Sequence, residues 1–190
     1  MAFSDKRFGM LWAVAIAAMV LVGCDEETIP NPNISTEPPP ETSTVISESV
    51  EPSVYWLEDK GDRFELVAVP MATTKANADE NLEQLMIELT ETTPAGGDRS
   101  SALPENTKVI SHKIQADGIV INLSEDFTFG GGSASMIGRL GQVIYTATSI
   151  EPEAAVWLQV EGEPLEVLGG EGLVIEQPMT RAIFEQEFEL

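Results

Sequence analysis

The chain has 190 residues, ten basic against 32 acidic, with one cysteine and one histidine, for a formal net charge of −22. Clustered lysine and arginine are what a phosphate backbone requires, so this balance excludes nucleic acid as a partner and disfavours lying flat on anionic lipid. A single cysteine allows no intramolecular disulfide, a single histidine argues against a zinc site, and no cofactor is expected.

In chain order, Lys6 and Arg7 precede an apolar run from Gly9 to Val22 that closes on Leu21-Val22-Gly23-Cys24. A basic start, an apolar stretch of roughly 7–15 residues and a small-residue cleavage site make a secretory signal, whereas a spanning helix needs roughly 20 apolar residues. Residues 1–23 therefore read as a lipoprotein signal peptide, cleaved before a lipidated Cys24 that carries palmitate and anchors the protein to a membrane outside the cytoplasm. Residues 24–52 change to Pro, Ser, Thr, Asn and Glu with seven acids and no base. Such a segment cannot bury enough apolar surface to offset chain entropy, so it is expected to be a disordered acidic tether. One domain is expected over 53–190, long enough to bury a core of its own.

That domain opens with two strand-like runs, Val54 to Leu57 and Phe64 to Val69, around the turn residues Asp59-Lys60-Gly61-Asp62. From Asp79 to Glu91, Leu82, Leu85, Met86 and Leu89 recur at i, i+3, i+4 and i+7 and predict an amphipathic helix. Lys108 to Ala116 and Ile119 to Phe127 flank Asp117-Gly118, which predicts a two-residue type I′ hairpin pairing Ile114 with Ile121 and His112 with Leu123. Ile110, His112, Ile114, Ile119, Ile121 and Leu123 then share an inner face, opposite Ser111, Lys113, Gln115, Asn122 and Ser124. Gly130-Gly131-Gly132 leads into a second helix, Ser133 to Ile150, with Met136, Leu140, Val143, Ile144 and Ala147 as its stripe and Ser133 or Ser135 as its N-cap. A second hairpin turns at Glu161-Gly162, with Val156, Leu158, Leu165 and Val167 on one face and Pro164 on an edge strand. A short strand at Leu173 to Ile175 and a terminal helix from Met179 to Phe188 complete the pattern. The fold class is α+β: a largely antiparallel sheet with two main helices packed on one face.

Several runs carry a resemblance. Tyr55-Trp56-Leu57, Leu103-Pro104 with Thr107-Lys108-Val109, Asp117 to Ser124, Gly130 to Met136, Arg139-Leu140, Gln142 to Thr148, and Trp157-Leu158 with Gly162 to Leu165 resemble the GerMN domain, the sporulation and spore germination module, over essentially Val54 to Phe188. Two positions depart from its pattern: Asn106 stands where Gly is common, and Gly141 where Ala is usual, at a cost of about 1 kcal/mol in helix propensity that hints at close packing. The resemblance implies an envelope module that binds a protein or a cell-wall component such as peptidoglycan, often as a lipoprotein, with no established catalytic residue. Because the family also occurs outside spore formers, it does not imply a sporulation role.

The chemistry-bearing residues agree. Gly131 to Ser135 lacks the final Gly of a nucleophile elbow and the Lys of a P-loop, so a tight turn leading into a helix is the expected role. His112 falls on the apolar face as a structural histidine. Arg139, Gln142 and Tyr145 lie outside the apolar stripe of the second helix and are, with Ser133 and Ser135, the candidate binding residues, arginine and tyrosine being common interface anchors. The alternative for Arg139 is an ion pair with an acid such as Glu171. Two functions follow: a lipid-anchored, non-catalytic binding or scaffold domain of the envelope, or an envelope hydrolase acting on cell-wall glycan or peptide.

Overall fold

The computed structural model describes residues 51–73, 77–170 and 172–190, so Cys24, the signal segment and the tether as far as residue 50 lie outside the described residues. The domain begins with β1 (Ser53–Asp59) and β2 (Phe64–Pro70), an antiparallel hairpin in continuous register from Ser53↔Pro70 to Asp59↔Phe64. α1 (Ala78–Glu91) follows. Asn77 caps it by accepting the Glu80 N–H at 2.8 Å, and the stripe of Leu82, Leu85, Met86 and Leu89 is buried as its spacing demands. A two-residue β3 (Arg99–Ser100) returns to pair with Leu57 and Glu58 and completes a three-stranded sheet of order β2-β1-β3.

β4 (Val109–Gln115) and β5 (Gly118–Leu123) form the second hairpin, but its register differs from the expected one. Ile114 pairs with Ile119 and His112 with Ile121, so the loop is Ala116-Asp117 and Gly118 belongs to the strand. Gly118 has φ +140°, and a Cβ there would sit 2.3 Å from the Ala155 carbonyl oxygen, which explains why this strand starts on glycine. The slip is two residues, so the faces survive, with one exception. A bulge between Val109 and Ser111 gives Val109 the place opposite Leu123 and turns Ile110 outward, 49% exposed. Asn122 and Ser124, expected on a solvated face, are buried because the Asn122 side-chain oxygen accepts the Gly162 N–H and the Ser124 hydroxyl accepts the Lys108 N–H.

After a 3₁₀ turn at Glu125–Thr128 comes α2 (Ser133–Ala147), then β6 (Val156–Val160), which runs parallel to β5. A parallel pair needs a long crossover, and α2 is that crossover. β6 turns at Glu161-Gly162, φ +51° and +87°, into the two-residue edge strand β7 (Glu163–Pro164), giving the order β4-β5-β6-β7. A small pair, β8 (Val167–Leu168) with β9 (Leu173–Val174), turns Val167 outward, where an inward side chain was expected. Met179 bridges to Val156, and α3 (Arg181–Glu187) starts after its Thr180 cap.

The protein is thus α+β and antiparallel apart from β5·β6, but its strands fall into separate sheets where one was expected. The reason lies in α2. Beyond Leu57, the inner edge of β1 is closed by side chains of α2 and of the turn after it in place of a strand: Thr146 Oγ1 accepts the Tyr55 N–H at 3.0 Å, Gln142 Nε2 donates to the Tyr55 carbonyl at 3.2 Å, and Ser149 Oγ, just past the helix, accepts the Ser53 N–H at 3.1 Å. One apolar core, drawn from β1, α1, β5, α2 and β6, runs through the domain.

Candidate functional site

The candidate residues on α2 occupy three different settings. Arg139 is 1% exposed. Its guanidinium donates to the carbonyls of Phe127 (2.8 Å), Phe129 (2.8 Å), Gly130 (2.6 Å) and Ser135 (3.4 Å) and to the Ser135 hydroxyl (3.2 Å). All five bonds go to the stretch from Phe127 to Ser135 that brackets the protein's own glycine loop. Gly131, at φ +76°, closes that loop over the side chain so tightly that a Cβ there would lie 2.5 Å from Ser135 Oγ and 2.8 Å from the guanidinium. Among the described residues no carboxylate faces Arg139, so burial lowers its pKa with nothing opposing it. The expected outward placement is therefore corrected: carbonyls that would otherwise lack donors hold this arginine inside. Residue 171, the partner considered for it, is outside the described residues.

The helix cap is Gly132, where Ser133 or Ser135 was expected; Ser133 is the exposed first helical residue and Ser135 serves Arg139. Gln142 is fully buried and also corrects its expected outward placement: besides bonding Tyr55, its side-chain oxygen accepts the Ala102 N–H at 2.8 Å, so one amide joins β1, α2 and the segment after β3.

Of Arg139, Gln142 and Tyr145, only Tyr145 is not buried. Its hydroxyl donates to Glu185 Oε1 at 2.6 Å, and its ring meets Tyr55 and Phe184 edge-on at 5.3 and 5.8 Å. Arg181 stacks over the ring at 4.6 Å while donating to Thr148 Oγ1 and the Tyr145 carbonyl. Burial first, then the bond to Glu185, pushes the Tyr145 hydroxyl well above the ordinary tyrosine range. Beside it opens a groove of about 390 Å³ floored by Phe64, Leu66, Tyr145, Phe184, Phe188 and Leu190, with Glu65 and Glu185 among its walls. Gly141 makes this groove possible. A Cβ there would lie 2.8 Å from Phe184 and 2.9 Å from Leu66, so the close packing hinted at by a glycine where alanine is usual is the seat of α3.

Sequence reasoning missed Arg181, Phe184 and Phe188 as part of this setting, since nothing local links a C-terminal helix to the end of α2. The signal that was available lay on α2 itself: Arg139, Gln142 and Thr146 form a second, polar stripe at i, i+3 and i+7, which Ser149 continues just past the helix. His112 Nε2 lies 3.6 Å from Asp79 Oδ2 beside a groove of about 270 Å³ lined by Glu83, Ile87 and Ile110, and no hydroxyl is hydrogen-bonded to it among the described residues.

A family model described as Germane, sporulation and spore germination, matches residues 53–166, more than half of the chain. The chain belongs to this family. The matched span covers β1 through β7 and ends at Glu166. The first GerMN domain of the sporulation protein GerM from Bacillus subtilis shares the fold, with TM-score 0.54 and 20% identity over 68% of this chain and 96% of that one. The tandem GerMN domains of the same protein match with TM-score 0.54 and 20% identity over 68% of this chain, which spans 45% of the tandem. No curated protein sequence matches.

Proposed function

We propose that this Germane domain is exported, tethered through lipid on Cys24, and works by binding an envelope protein or a cell-wall component without catalysing a reaction on it. The observation that carries this reading is how its side chains are used. The polar groups of α2 best placed for chemistry are engaged to the protein's own backbone, while aromatic and aliphatic side chains line an open groove at the end of that helix. Exposed aromatic and arginine-rich settings are typical of interfaces. The lipoprotein pattern at Leu21 to Cys24 supplies the attachment, and the acidic tether would let the domain stand off the bilayer.

The expected outcome is that Cys24→Ala moves the protein from the detergent phase to the aqueous phase, and that mild crosslinking in the native envelope recovers a defined component with the wild-type chain. A variant that stays membrane-bound and unprocessed overturns the lipid anchor. A wall-degrading activity lost in His112→Ala overturns the binding reading in favour of a hydrolase.

A further inference from the structure

The β1·β2 register determines which backbone groups of β2 face away from the sheet. Lys60 N–H donates to the Arg63 carbonyl at 2.9 Å and Met71 N–H to the Pro52 carbonyl at 2.8 Å, fixing both ends of the ladder. Hydrogen-bonded and non-hydrogen-bonded pairs alternate in an antiparallel ladder, so Glu65, Val67 and Val69 address β1. Phe64, Leu66 and Ala68 are left with N–H and C=O groups directed outward. β2 is the edge of its sheet, and no described segment bonds to that side. Phe64 and Leu66 also contribute side chains to the groove beneath Tyr145 and Phe184. A strand added at this edge would place every second side chain over the groove, because residues directly opposite one another share a face.

Charge selects the occupant. Glu65 and Glu185 stand at the groove, and the exposed Glu187 and Glu189 follow on α3 and the chain end. The nearby cations are committed: Arg63 pairs with Glu65, and Arg181 is stacked against Tyr145. Residues 53–190 carry 24 acidic against eight basic residues. This repels the chain's own tether, which has acids and no base, and a second copy, which would bring its own Glu65 to the same edge.

We infer that the outer edge of β2, with the groove beside it, is a docking site for an extended, positively charged peptide segment of an envelope protein, which joins the β2-β1-β3 sheet as a fourth strand. Backbone pairing to Phe64, Leu66 and Ala68 supplies affinity, alternate apolar side chains seat against Tyr145 and Phe184, and a lysine or arginine lies beside Glu185. This rests on the binding reading above and names its surface and partner class.

The test pans a phage-displayed library of ten-residue peptides against the full chain in detergent micelles. Enriched peptides are expected to carry apolar residues at alternate positions, with a lysine or arginine on the same face to reach Glu185, and to slow amide exchange at Phe64, Leu66 and Ala68. Ala68→Pro removes one outward N–H while leaving the bonds to β1, and should weaken binding by about tenfold, the loss of roughly one hydrogen bond. Glu185→Gln keeps an acceptor for Tyr145 and should weaken binding more at low salt than at high salt. Peptides that bind Ala68→Pro as well as wild type, or that leave those three amides unprotected, overturn this surface while the binding reading stands. Enrichment of acidic peptides, or of none, also overturns it. The reading itself falls if crosslinking in the native envelope recovers nothing, or if the His112-dependent wall-degrading activity described above is found.

Discussion

Replacing Arg139 tests the central correction that the structure makes to its sequence. Arg139→Met keeps the length and apolar stem of the side chain and removes every donor to Phe127, Phe129, Gly130 and Ser135. Three of those bonds are short, and hydrogen bonds to a charged group contribute about 1.5–3 kcal/mol each, so their sum alone would suggest a loss above about 5 kcal/mol. Two effects reduce it. A buried guanidinium without a counter-ion costs several kcal/mol that methionine does not, and the exposed Phe129 and Gly130 can relax toward water. The net expectation is a loss of about 2–4 kcal/mol, roughly 10 °C in melting temperature for a domain of this size. Arg139→Lys should fall between the two, since one ammonium cannot reproduce a planar fork across several carbonyls. Urea and thermal denaturation of the full chain measure this, with faster amide exchange in the glycine loop as a local readout. A methionine variant within about 1 kcal/mol of wild type would refute the reasoning, because the carbonyls would then not depend on the guanidinium.

Two further outcomes follow from particular contacts. Ile110→Asp should be tolerated and Val109→Asp should not, since the bulge exposes the first and packs the second against the core; equal melting temperatures would place the bulge elsewhere. The folded state holds the Tyr145 proton more tightly than the unfolded chain, whose value is near 10, so this contribution is intact below that pH and fades as pH rises through and beyond it. Melting followed from about pH 9 to 11 should show that decline in wild type and a flatter profile in Tyr145→Phe, and parallel profiles would deny the coupling.

The elements legible in the sequence are those set by neighbours in the chain. The Leu82 to Leu89 stripe, the Glu161-Gly162 turn and the Gly130 to Gly132 loop each depend on a few adjacent residues, and each forms, whereas the hairpin expected at Asp117-Gly118 turns one residue earlier and not as type I′. The hairpin faces survive a wrong register because the slip is even, whereas the bulge escapes notice because Val109 and Ile110 are both apolar and either suits an alternating pattern. What was not legible depends on distant residues. Nothing near β6 says that it joins β5 in parallel, or that Gln142 and Thr146 finish β1 from a helix about 90 residues later. Arg139 and Gln142 fall outside the apolar stripe of α2, where polar residues usually mark a surface, yet here a helix packed on several sides turns ten of its fifteen residues inward and uses the polar ones to seal backbone groups. For the same reason the candidate residues separated: Arg139 and Gln142 hold the framework, Tyr145 borders the groove beside α3, and Ser133 and Ser135 line a second opening next to Leu57 and Ala102.

The unpaired edge of β2 also exposes the protein to aggregation. Strand edges recruit strand edges, and Phe64, Leu66, Val67 and Val69 have the apolar, β-favouring character of segments that stack between identical chains. Glu65 interrupts that run, and Pro70 occupies the next outward position with no N–H to offer. The larger safeguard is the carboxylate excess of the whole domain, which makes two copies repel before their edges meet. High salt or mild acid weakens that repulsion without altering the edge. The acidity of the chain thus acts as a colloidal guard on one strand, and crowding at an envelope is tolerable only while that guard stays charged.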